Sequence, residues 1–99
     1  MIHQPVRGSV QLDAGAELAV RAGRSLLPKG VLNVEGTFSQ GELIALRSDH
    51  RRVAHGISNF SSSELVRIAG RHTQDIETVL GYKDYDEVVH RNHLVLVEG

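Results

Sequence analysis

The sequence predicts a small mixed fold of β-structure with α, a pseudo-barrel of about five or six mostly antiparallel strands and two or three short helices. Three observations predict it. The apolar runs are short and end in glycines or polar turns. Two helical stretches begin with cap signals. Helices joining successive parallel strands are scarce, which argues against a doubly wound sheet.

Each element follows from its residues. Residues 1–7 read as a tail or linker and 8–99 as the domain, because Pro5 disfavours helix before it and structure signals start after Arg7. Gly8-Ser9-Val10-Gln11-Leu12 alternates as a short strand does. Asp13 stands at a helix N-cap, and Ala14, Leu18 and Ala22 share one helical face. Glu17 in the first turn and Arg21 in the last match the helix dipole, and Gly23 suits a left-handed stop. Arg24 to Gly30 is a turn-rich loop carrying Leu26 and Leu27. Val31–Val34 and Leu43–Leu46 read as strands, with Phe38 anchoring the loop between them. Arg52–Ser58 returns beside Leu43–Leu46 as a hairpin partner.

Ser61 and Glu64 have capping-box spacing, with Phe60 and Leu65 at the staple positions. Leu65, Ile68 and Ala69 form the inward face of that helix, and Gly70 ends it. Thr73 is expected to cap another short helix, with Ile76, Val79 and Leu80 inward and Gly81 as its stop. Glu87–His90 and Leu94–Val97 read as two final strands. The expected core is Leu18, Leu26, Leu27, Val34, Phe38, Ile44, Leu46, Ile57, Leu65, Ile68, Ile76, Leu80, Val88 and Val95.

Composition narrows the function classes. The chain has 99 residues, enough for one domain that buries about 65% of its unfolded surface. Without cysteine it makes no disulfide, thiolate nucleophile or Cys-ligated zinc site. Eleven Lys and Arg against twelve Asp and Glu give a net charge of −1, unlike a strongly basic nucleic-acid binder. Aromatics are 4%, too few for a broad base-stacking platform. The first residues lack the regions of a signal peptide, and no apolar run approaches a membrane span, so a cytoplasmic location without membrane contact is expected.

The motifs exclude more than they assign. No phosphate loop or dinucleotide fingerprint occurs, and no nucleophile elbow surrounds the serines at 61–63, which serve a helix cap better. No catalytic residue is assigned. His90 and His93 are three apart, and in an extended strand they point to opposite faces, so no metal site is assigned unless a turn intervenes. The Gly23–Gly30 loop carries Arg24 and Lys29 on either side of Leu26, Leu27 and Pro28. It can offer backbone N–H groups and two cations to a phosphate backbone. The other reading is that the leucines plug the barrel end and the cations are solvated. Arg51-Arg52 forms a second basic turn, and Arg67, Arg71 and Arg91 can extend a basic surface.

One stretch of residues is more specific. Leu26-Leu27-Pro28-Lys29-Gly30-Val31, followed by Gly36-Thr37-Phe38-Ser39-Gln40-Gly41-Glu42, resembles the PUA domain family. Ile68-Ala69-Gly70-Arg71-His72 and Glu87-Val88-Val89-His90-Arg91 narrow the likeness to the C-terminal PUA domain of the bacterial glutamate 5-kinase family. The likeness runs from about Gly8 to Val97. It departs at Asn92-His93, where an Asp-Asn pair is expected, so position 92 carries no carboxylate.

The resemblance implies a PUA-like pseudo-barrel. It also implies a non-catalytic module of an enzyme that transfers the ATP γ-phosphate to L-glutamate, the first step of proline synthesis. ATP and magnesium then belong to the parent's catalytic amino-acid-kinase domain, and no cofactor to this chain. That domain, a second copy of the chain and RNA are the implied partners. For RNA, the resemblance implies Gly23, Arg24, Ser25, Leu26, Leu27, Lys29 and Gly30, with Arg91 and His93 near the last strand. The near-zero net charge favours a regulatory or assembly module over RNA binding.

Overall fold

Alternation in Gly8–Leu12 turns Val10 and Leu12 into the interior, and this run is the first strand, β1 (Gly8–Leu12). The computed structural model describes residues 4–97; residues 1–3 of the expected tail lie outside them. Arg7, assigned to the tail by sequence, donates its N–H to Leu43 O at 2.9 Å and pairs with Glu42 at 3.2 Å.

The Asp13 carboxylate accepts the Ala16 N–H at 2.7 Å and starts α1 (Ala14–Arg21). Gly23 follows the helix with φ 83°. A 3-10 turn at Pro28–Gly30 leads into β2 (Val31–Gly36). β3 (Leu43–Ser48) and β4 (Arg51–Ile57) form the expected hairpin, turned at Asp49 with φ 54°. The capping box at Ser61 and Glu64 is complete on α2 (Ser62–Ile68), and Phe60 and Leu65 are both buried beside it. α3 (Ile76–Leu80) ends at left-handed Gly81, and β5 (Leu94–Leu96) closes the fold.

The five strands form one sheet in the order β2-β1-β3-β4-β5. Only the β1–β3 pair is parallel. Strand number, helix number and mostly antiparallel pairing match the fold class expected from sequence. One face buries Val10, Leu12, Ile44, Leu46 and Ala54 against Leu65 and Ile68 of α2 and Ile76 of α3. The register places Ser9 and Gln11 of β1, Ala45 and Arg47 of β3, His55 of β4 and Val95 of β5 on the other face.

Several expectations are corrected. The α1 stripe is Ala16 and Val20, not Ala14, Leu18 and Ala22, so Leu18 is 71% exposed while Val20 is buried. The two stripes are offset by two residues, about 200° around a helix, so burying one exposes the other. Leu27 and Val95 are also exposed, because each follows a buried or core-packed neighbour in extended backbone. Val34 and Ile57 are half-buried.

Glu87–His90 is not a strand; it makes a single bridge, Leu26 with Val89. Pro28 lacks an N–H to extend that ladder, yet Val88 and Val89 are fully buried. Thr73 does not cap a helix. It opens a 3-10 turn that runs into α3, and its hydroxyl donates to Asp86 O at 3.3 Å.

Candidate functional site

The loop 23–30 and α1 form a cleft of about 430 Å³. The local chain accounts for it. Leu26 exchanges backbone hydrogen bonds with Val88 and Val89, at 2.7 Å from Val88 N–H and 2.9 Å to Val89 O, which anchors the loop's middle in the core. Leu27 then turns outward in extended backbone, and Pro28 turns inward again. The Asp13 N–H donates to Gly30 O at 2.9 Å, tying the loop's end to the start of α1. Gly30 packs so closely on the helix that a β-carbon there would overlap that of Ala16.

Of the residues the resemblance implied, Arg24, Ser25, Leu26, Leu27, Lys29 and Gly30 line this cleft. Gly23 does not; it supplies the left-handed turn that redirects the chain. Arg91 does not line it either, but its N–H donates to the Ser25 hydroxyl at 2.8 Å, holding the end of the chain against the loop. His93 stands apart from the lining, its ring 6.1 Å from that of His90. The two alternatives for the loop divide between its leucines: Leu26 plugs the core and Leu27 faces solvent.

Sequence reasoning missed part of the lining. Asp13, Gly15, Ala16 and Ala19 form the helix side of the cleft. The signal was the run of small residues at the start of α1, which lets backbone approach backbone. Asp13 changes the electrostatics, because two cations, Arg24 and Lys29, share the lining with its carboxylate. Leu27, Ala16 and Ala19 make much of the remaining wall apolar.

A turn does intervene between His90 and His93. His90 precedes the 3-10 turn Arg91–His93 and His93 is its last residue, and His90 Nδ1 accepts the Asn92 N–H at 3.1 Å. That nitrogen therefore caps the turn. Among the described residues, no group of three His, Cys, Asp or Glu is placed to hold a metal ion. Among them, too, no helix is long and apolar enough to cross a membrane.

A five-stranded mixed sheet with a loop packed against the first helix defines a PUA-type domain, and the family model for the PUA domain matches residues 8–80. The chain belongs to the PUA domain family. Its curated relatives include glutamate 5-kinases. That of Carboxydothermus hydrogenoformans is 47% identical over 95 residues, covering 94% of this chain and 26% of the relative. That of Burkholderia cenocepacia is 50% identical over 97 residues, covering 96% and 26%. That of the archaeon Methanosarcina acetivorans is 41% identical over 92 residues, covering 93% and 24%. The chain thus spans about a quarter of the length of these relatives.

Among solved structures, a PUA domain from Aeropyrum pernix in complex with tartrate superposes with a TM-score of 0.65 at 27% identity, over 88% of this chain and 42% of that one. A chain of the archaeal box H/ACA sRNP Nop10–Cbf5 complex has a TM-score of 0.59 at 15% identity, over 92% and 23%, and shares the fold.

Proposed function

We propose that this chain is the non-catalytic regulatory and assembly module of an amino-acid kinase that phosphorylates L-glutamate. One observation carries the reading: glutamate 5-kinases match nearly the whole chain at 41–50% identity, while the chain accounts for only a quarter of them. ATP and magnesium belong, on this reading, to the remaining three quarters. The partners are the catalytic amino-acid-kinase domain and other copies of the assembly, in the cytoplasm. Residues 8–99 are the module, and 1–7 its lead-in.

The test compares the kinase with and without this module. Its removal should change inhibition by the end product, metal dependence or oligomeric state while leaving glutamate phosphorylation measurable. A truncated enzyme that matched the full one in all three assays would refute the proposal.

A second reading is RNA binding through the cleft, favoured by Arg24 and Lys29 on its rim and by Arg91 held beside it. The Asp13 carboxylate opposes it. Contact with about 3 phosphates would give a log–log salt slope near −3. Fluorescence anisotropy with a structured RNA bearing a single-stranded end, beside an Arg24→Ala/Lys29→Ala variant, measures this directly.

A further inference from the structure

The β3–β4 hairpin places two arginines directly opposite each other. Arg47 and Arg52 are register partners across the strands, immediately after a bulge that gives β4 one extra residue. Like charges opposite one another destabilise a sheet. Among the described residues, none of the ion pairs involves either guanidinium. Arg47 reaches only the His50 carbonyl, at 3.4 Å, and Arg52 Nη1 contacts His55 Nε2 at 3.2 Å. His55 is held below the ordinary imidazole range, first by burial and then by the Arg52 charge, and Glu35, the β2 partner of Ser9, stands at the far edge of the same face.

The surroundings of the pair point to a protein partner. Val95 of the adjacent β5 is 69% exposed on the same face, and Leu43 and Ile57 form a half-buried cross-strand pair further along it. Apolar residues beside arginines are the composition of protein interfaces, where arginine is enriched. No Phe, Tyr or Trp lies on these strands to stack a base.

We propose that this sheet face, centred on Arg47, Arg52 and His55, is a docking surface for a carboxylate-bearing protein surface. Resting on the assembly reading above, the occupant is an acidic surface of the kinase polypeptide. Five strands spaced about 4.8 Å apart and averaging about 17 Å in length, β5 being the shortest, give a footprint of about 400 Å². A free-standing complex uses about 800 Å² per partner. The face is therefore suited to a tethered partner, whose effective concentration of order millimolar compensates for a small contact. The curated relatives carry roughly three quarters of their length outside this domain, enough to supply such a partner.

The experiment titrates the 99-residue chain with poly-L-glutamate and, separately, with a short RNA duplex, following backbone and histidine NMR signals. The expected result is weak saturable binding of poly-L-glutamate with shifts concentrated at Arg47, Arg52 and His55. An Arg47→Gln/Arg52→Gln variant should weaken it about fivefold or more, and Arg24→Gln/Lys29→Gln should leave it unchanged. The first variant removes a like-charge opposition and is expected to stay folded, which its amide spectrum checks.

Tighter binding of RNA than of poly-L-glutamate at this face would overturn the proposal in favour of a nucleic-acid site. Absent shifts, or shifts spread over all basic residues and insensitive to the hairpin variant, would overturn it altogether. Neither outcome involves kinase activity, so the assembly reading stands or falls by its own truncation assay.

Discussion

The Ser25 hydroxyl accepts the backbone N–H of Arg91 at 2.8 Å, joining the loop beside α1 to the turn that precedes the last strand. The cleft's loop and the turn beside it, far apart in sequence, are thereby held together by one side chain. Ser25→Ala should cost about 0.5–1 kcal/mol, since the bond is partly open to water. Urea denaturation measures that loss. Faster hydrogen exchange at the Arg91 amide, without faster exchange in β3, would locate it.

Gly30 marks the closest approach between the loop and α1. Gly30→Ala places a β-carbon against that of Ala16 and should destabilise by about 1–3 kcal/mol. Ala16→Gly in the same chain should recover part of the loss, giving a clear coupling energy in a double-mutant cycle. Strict additivity of the two changes would show that the contact is relieved some other way.

Ser61 and Glu64 cap α2 reciprocally: the Glu64 N–H donates to the Ser61 hydroxyl, and the Ser61 N–H donates to the Glu64 carboxylate at 2.8 Å. Ser61→Ala should cost about 1 kcal/mol in thermal or chemical denaturation.

The pKa of the Glu64 carboxyl is net lowered. Burial pushes it up, but the Tyr82 hydroxyl and the Ser61 N–H and hydroxyl together hold it below the ordinary 4.5. Its folded state therefore binds a proton less readily than the unfolded one. The stabilisation is complete above about pH 4.5 and is lost as pH falls through the lower folded value. Tyr82→Phe removes one of these donors and should move the Glu64 titration upward, read by carboxyl NMR.

His55 also titrates below its ordinary 6.5, through burial first and the Arg52 charge second. The fold favours the neutral ring, so its contribution is complete above about pH 6.5 and is lost as pH falls through the lowered value. Arg52→Gln should raise the His55 value only part of the way, because burial remains. Ring-proton NMR between pH 4.5 and about 8 checks both direction and incompleteness. Full return to 6.5 would make the charge, not burial, the larger cause.

Much of this molecule was legible in local chemistry. Asp13 and Ser61 declare their caps because a short side-chain oxygen before a helix has one good use. The β3–β4 hairpin and β1 follow from apolar runs and polar turns. The loop cations Arg24 and Lys29 are visible in the turn-rich loop Gly23–Gly30.

What local pattern could not decide was direction. Leu18 and Val20 are both apolar on α1, and only the sheet beneath chooses Val20. Leu26 and Leu27 are chemically alike, and backbone pairing with Val88 and Val89 buries the first and exposes the second. The meeting of Ser25 with Arg91, the entry of Asp13 into the cleft and the opposition of Arg47 to Arg52 are long-range or register facts. A side chain's identity sets what it can bond; strand register and packing decide which neighbour it meets.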